Sequence, residues 1–138
     1  MSDAVGELRF KVEVLGVTIG RFMECTGLAV EYEVVEHVEG GLNDHVHKLR
    51  GHAKHPNLTL KRGVTDEEQL LRWVLDCQAG TKRHDIQVQL KAPDGKTVRT
   101  WTLEGAWPVK WQGPALNAGS ANVATESLEI AHRGLKRV

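Results

Sequence analysis

Cysteine is almost absent from this sequence: Cys25 and Cys77 are the two thiols among 138 residues. So few cannot build a disulfide-stapled scaffold. A bond between them is one reading and two buried, reduced thiols the other; their apolar settings favour the second. An excess of one charge is missing too, with 18 Lys+Arg against 18 Asp+Glu. That balance removes the electrostatic argument for nucleic acid or an anionic membrane as partner, and no sequence-specific nucleic-acid recognition is expected. The basic pairs Lys61-Arg62 and Lys82-Arg83 are isolated and form no stripe. No apolar run approaches bilayer-spanning length, and the opening MSDAVGELRF has no signal-peptide core, so the protein is expected to begin in the cytoplasm. Low-complexity linkers and internal repeats are absent as well.

The motifs of common chemistries are equally missing. No G-x-S-x-G marks a nucleophile, and Gly16-Val17-Thr18-Ile19-Gly20 lacks the G-K-[ST] ending of a phosphate loop. Cys25 at a strand end and Cys77 on an apolar helix stripe read as core thiols. Glu31 with Glu33, and Glu126 with Glu129, read as wet strand faces before they read as acid/base pairs. Trp73, Trp101, Trp107 and Trp111 read as core and interface anchors. The sequon Asn57-Leu58-Thr59 has no secretion signal to give it meaning. Neither catalytic residues, nor a metal, nor a cofactor is implied.

What is present is a strand handing over to a helix. In Asn57–Lys61, Leu58 and Leu60 alternate with Thr59 and Lys61, the period of a half-buried strand, and Arg62-Gly63 ends it. Leu70, Trp73, Val74 and Cys77 then recur at helical spacing, with Leu71 and Leu75 widening the stripe. Thr65 and Glu68 form a capping box, Asp66 to Glu68 load the first turn with negative charge, and Gly80 offers a left-handed stop. A helix over about 66–78 is expected.

The rest reads as strands. Phe10, Val12 and Val14 alternate with Arg9, Lys11 and Glu13; after a turn at Gly16, residues 17–24 return. Residues 29–38 form a longer strand, with Val30, Tyr32 and Val34 opposed to Glu31 and Glu33 and a bulge at Val34-Val35. Ile86, Val88 and Leu90 alternate before the turn Pro93-Asp94-Gly95-Lys96, and residues 98–103 pair back. Residues 105–117 read as a strand broken or bent at Pro108, then a loop. Leu128 and Ile130 alternate with Thr125, Ser127 and Glu129 in the last strand. The sum is about seven strands and one helix: a mainly β fold of two packed antiparallel sheets forming a barrel or sandwich, in a single domain over residues 1–138, with the helix plugging an open end or edge. With 41% hydrophobic and 26% charged residues, a real core is within reach.

One stretch departs from this pattern. Residues 39–56, 18 positions, are rich in glycine and polar residues and read as a long arm without regular structure. Such a segment inside a compact domain is uncommon and usually functional. It is also where histidines gather: His37, His45, His47, His52 and His55. A metal site or a pH sensor there is the sharp reading; polar residues in a solvated arm are the plain one. The residues alone thus favour a self-assembling or binding module over an enzyme, with a monomeric β domain binding a ligand or metal through the histidine arm as the alternative.

Several motifs then line up in order. They are Phe10-x-Val12-x-Val14; Gly20 to Leu28, GRFMECTGL; Glu36-His37-Val38-Glu39-Gly40-Gly41; Lys48-Leu49-Arg50-Gly51; Asn57 to Gly63, NLTLKRG; Ala106 to Trp111, AWPVKW; and Glu126 to His132, ESLEIAH. Together they resemble the inner tube proteins of contractile injection systems. These comprise contractile-phage tail tubes, extracellular phage-tail-like particles and, more distantly, the Hcp tube of type VI secretion. The resemblance implies a homo-hexameric ring that stacks into a hollow tube, with a sheath protein, baseplate and cap proteins as partners and cargo in the lumen. It implies no chemistry. Contraction of the sheath would drive the tube through a target envelope. Ring closure would remove exposed sheet edges, and balanced charge would let identical subunits stack closely. On this reading Glu39, Gly40, Gly41, Asn43, Lys48, Leu49 and Gly51 belong to the ring-stacking arm. Glu31, Glu33, Thr125 and Ser127 are candidates for a wet face or the lumen wall. The subunit would assemble in the cytoplasm and end in a phage-tail-like particle.

Overall fold

A computed structural model describes residues 9–38, 46–65, 67–80, 83–114 and 124–136. Among these residues ten strands and one α-helix run in the order β1 (Arg9–Val14), β2 (Val17–Phe22), β3 (Glu24–Thr26), β4 (Glu31–Val38), β5 (Val46–Lys54), β6 (Leu58–Gly63), α1 (Gln69–Asp76), β7 (His84–Lys91), β8 (Thr97–Gln112), β9 (Thr125–Ala131) and β10 (Gly134–Leu135). Eight of the strands form one antiparallel sheet, ordered β2-β1-β7-β8-β9-β6-β3, with β10 added beside β8. The two ends of that order, β2 and β3, are separated in the chain by Met23 alone. The sheet therefore curls until its edges nearly meet. No ladder joins β2 to β3 among the described residues, so the body is a sandwich with a barrel-like curl.

The strand alternation explains the core. Val12, Val14, Ile19, Phe22, Leu58, Leu60, Ile86, Val88, Leu103, Leu128 and Ile130 point inward from both layers and are buried. At about 1.5–3 kcal/mol for each such side chain fully withdrawn from water, this cluster is the main source of stability. The 16-residue strand β8 links the layers: its first part pairs with β7 and its second with β9. The expected break at Pro108 is therefore a register shift between Pro108 and Lys110 within one continuous strand. Proline lacks the donor a regular ladder would need at that point.

Other expectations change at the helix. It starts at Gln69, and its cap residue Glu68 makes no side-chain capping bond. The Thr65 hydroxyl instead accepts from the Glu67 amide at 3.2 Å, a local turn two residues long. The capping box is thus absent because Thr65 lies too far upstream of the first helical turn. No acidic residue occupies that turn, and Asp66 lies outside the described residues. A 3-10 turn, Cys77–Ala79, closes the helix, and Gly80 is extended (φ 172°) instead of left-handed. Leu70 is the helix's buried residue, while Trp73, Val74 and Cys77 are half-buried and Leu75 is exposed. The helix packs on β2, at the open edge of the sheet, and on β8.

Cys25 and Cys77 are both free and half-buried, less enclosed than core thiols. Burial pushes the Cys25 thiol up to about 11. Two turns fix the chain's course. Gly27 adopts φ 97°, and a Cβ there would sit 2.2 Å from the Asn57 carbonyl oxygen, so only glycine lets β3 approach the start of β6. Between β1 and β2, Leu15 (φ 53°) and Gly16 (φ 79°) both adopt positive φ, as the tight turn of a two-residue hairpin demands.

Candidate assembly surface

Residues 46–56, the described part of the segment 39–56, are not the irregular arm that composition implies. They hold β5, paired antiparallel with β4 in a separate two-stranded sheet. Gly40, Gly41, Asn43 and Glu39 lie outside the described residues. The register places Glu31 opposite Lys54, Tyr32 opposite Ala53, Val34 opposite Arg50, Val35 opposite Leu49, Glu36 opposite Lys48 and His37 opposite His47. The irregularity falls between Tyr32 and Val34, one step earlier than Val34-Val35, and it centres on Gly51. A Cβ there would press on Glu33 and Val35 at 3.1–3.2 Å.

This hairpin is the unusual element of the molecule. Among the described residues it is hydrogen-bonded to neither edge of the large sheet. From Glu31 to His37 every side chain is exposed. Apolar groups occur on both faces: Tyr32 and Val34 on one, Val35 and Leu49 on the other, with Val34 62% exposed. Arg50 lies over the Tyr32 ring at 5.0 Å, which fixes both on the first face. A two-stranded hairpin is marginally stable alone, and open edges flanked by apolar side chains are pairing templates. The arrangement fits an element completed by another polypeptide.

The remaining expected residues scatter. Lys48, Leu49 and Gly51 share β5 with the hairpin, as Glu31 and Glu33 share β4. Thr125 and Ser127 belong instead to β9 in the body, opposite Gly63 and Lys61. With Lys61, Gln112 and Glu126 they border a hollow of about 350 Å³. The four wet-face candidates therefore do not form one wall within the subunit.

Glu126 is not a wet-face residue. It meets Arg62 at 2.5 Å, with side-chain exposures of 10% and 4%. Arg62 also lies over the Phe22 ring at 5.3 Å, and the Trp111 indole N–H donates to the second Glu126 oxygen at 3.3 Å. Arg62-Gly63 does not end β6 either: Arg62 takes the next inward position after Leu58 and Leu60. That parity was the signal available in the sequence, masked by reading charge as exposure; the structure adds that Arg62 faces Glu126 in the β6–β9 register.

Histidines meet at two places. His37 faces His47 across the hairpin. His55 and His132 place their ring centroids 5.8 Å apart near the hairpin root. Burial pushes the His132 imidazole below the usual histidine range, and the nearby His55 acts in the same direction. Among the described residues no group of three or more His, Cys, Asp or Glu side chains converges as a metal would require. His45 lies outside them.

Fold and hairpin together define a class: a mainly β subunit with an exposed hairpin suited to completion by another polypeptide. Residues 6–136 match the model of the T4-like virus tail tube protein gp19 family. The chain belongs to that family. It is similar to a protein in the sheath-tube complex of the extracellular contractile injection system PVC in its extended state, at 26% identity over 93% of this chain and 86% of that one (TM-score 0.77). It is also similar to one in the baseplate of the anti-feeding prophage, at 28% identity over 94% and 91% (TM-score 0.75). Hcp1 from Flavobacterium johnsoniae shares the fold at 18% identity over 92% of each chain (TM-score 0.52). Comparison with curated protein sequences gave no match. The chain is a tube protein of the contractile injection system type.

Proposed function

We propose that six copies of this chain, each a single domain over residues 1–138, close into a ring and that rings stack into a hollow tube. The tube is driven through a target envelope when its sheath contracts, and it conducts cargo through its lumen. The subunit carries out no chemistry. It assembles in the cytoplasm and then forms part of a phage-tail-like particle, bound by sheath, baseplate and cap. The observation that carries this reading is the β4–β5 hairpin, with exposed apolar residues on both faces and, among the described residues, no third strand at either edge. Similar proteins come from a sheath-tube complex, a six-fold symmetrised baseplate and a tube-terminating cap, which supports both the partners and the ring number. Glu39, Gly40, Gly41, Asn43, Lys48, Leu49 and Gly51 form the stacking arm. Thr125 and Ser127 are the stronger lumen candidates, because Glu31 and Glu33 travel with a hairpin whose faces become covered.

Negative-stain electron microscopy and native mass spectrometry of concentrated protein test this directly. Six-membered rings and tubes are expected. Removing residues 40–55 should leave a folded subunit that forms no long tube. A monomer at every concentration, or normal tubes from the shortened chain, would refute the reading.

A further inference from the structure

The fold leaves a second apolar surface uncovered, and it is concave. A groove of about 590 Å³ runs between the β1–β2 turn and α1, lined by Val14, Leu15, Val17, Ile19, Trp73 and Cys77 among others. Leu15 is the telling residue. It is the one positive-φ residue other than glycine among the described residues, and it is 73% exposed. Asn, Asp or Gly would take this turn position without the strain that a branched apolar side chain meets there. Nothing within the subunit compensates, since the side chain stands in solvent beside exposed Val17. Strain retained together with an exposed apolar tip points to a contact made outside the subunit.

We infer that this groove is the receptor for the Tyr32–Val34 face of the hairpin of a second copy of this chain. The inference rests on the tube reading and adds the partner surface it lacks. The hairpin offers an exposed apolar face and the groove an apolar recess, and among the described residues neither is covered. Both surfaces carry both charges. Arg72 and Asp76 border the groove, and Glu36 and Arg50 flank Val34 on the hairpin. One docking orientation therefore sets Glu36 near Arg72 and Arg50 near Asp76. Tyr32 and Arg50, stacked at 5.0 Å, are both residue types enriched where binding energy concentrates. Hairpin and groove are different patches, so the contact is heterologous. Each copy donates one hairpin and receives one, and the contact repeats from copy to copy instead of ending at a dimer.

The test uses Leu15→Asn. Asparagine suits the left-handed turn, so the free subunit should melt at a higher temperature than the wild type. The same change removes the apolar anchor, so the concentration needed for tube formation should rise about tenfold or more. Tubes forming as readily as in the wild type would overturn the inference. Hydroxyl-radical footprinting of unmodified protein gives an independent reading. Labelling of Leu15, Trp73 and Tyr32 should fall together when subunits become sheath-free tubes. Leu15 labelled equally in visible tubes, or protected only after sheath is added, overturns the groove assignment while leaving the tube standing. Absence of any tube would overturn both.

Discussion

Glu126→Gln should lower the stability of the free subunit by about 3 kcal/mol, the lower end of the cost of breaking a buried ion pair. The structure sets the scale. The Arg62 side chain is 4% exposed and meets Glu126 at 2.5 Å. Its guanidinium also borders Phe22, a surface that cannot replace a carboxylate. Glutamine keeps the shape and one acceptor for Trp111 but leaves a buried cation without a counter-charge. Glu67, at 3.9 Å and half-exposed, offers weak compensation because water screens it. For a chain of this size, about 3–4 °C per kcal/mol places the loss near 10 °C. The assay is thermal unfolding by circular dichroism below the concentration at which tubes form. Arg62→Met with Glu126→Leu removes both charges, so that double variant should melt well above Glu126→Gln. If Glu126→Gln melted within about 2 °C of the wild type, Arg62 would have to reach water, and the buried pair would not be a determinant of the β6–β9 register.

Gly27→Ala should cost more than about 2 kcal/mol, because its Cβ would collide with backbone at Asn57 and the left-handed backbone there is strained for alanine; urea unfolding reads the shift. His132, held below the usual histidine range by burial, should make stability pH-dependent with a defined sign. The unfolded chain takes up its proton first, so stability is intact above about pH 6.5 and falls as pH drops below it. His132→Phe should flatten that slope between pH 7 and 5 in melting experiments. Cys25, with its thiol pushed up to about 11, should alkylate at pH 8 many-fold more slowly than in denatured protein, as mass spectrometry of iodoacetamide-treated subunit would show. Amides of β4 and β5 should exchange rapidly in the free subunit and slowly in tubes, while those of β1, β7 and β8 stay protected in both.

Most of the body was legible because its longer strands bury one face, whereas the short strands β3 and β10 offered too few residues to show a pattern. Val12 with Val14, Leu58 with Leu60, Ile86 with Val88 and Leu128 with Ile130 all alternate with wet residues, and all are buried. β5 was not legible, for the same reason inverted. In β5 the side chains of residues 47–50 and 52–54 are exposed on both faces, so no alternation had to be maintained and the segment resembled a loop. Its partner β4 kept enough β-branched residues to be recognised. Arg62 was misplaced although its parity with Leu58 and Leu60 pointed inward, because the counter-charge that permits its burial, Glu126, lies 64 positions away. The break expected in β8 had a similar origin. Gly105 and Pro108 punctuate a strand that changes partner as it passes them, and local rules cannot tell a change of partner from an end. The groove carried a weak signal in the Leu15-Gly16 turn, since leucine is a poor choice at a position requiring positive φ.

On the proposed assembly, stability and assembly depend on different parts of one chain. The curled sheet closes around its own core, whereas the hairpin has no core to close around. If the hairpin were as well packed as the body, docking would have to break existing contacts before making new ones. As a marginal element, it loses little on leaving its free state, but its ordering entropy is charged to the first contact it makes. A second contact to an already ordered hairpin meets a smaller cost. Apolar residues on both of its faces provide for two such contacts, one on each side. Growth at an existing end, where both sides can be covered, should therefore outrun initiation from free subunits.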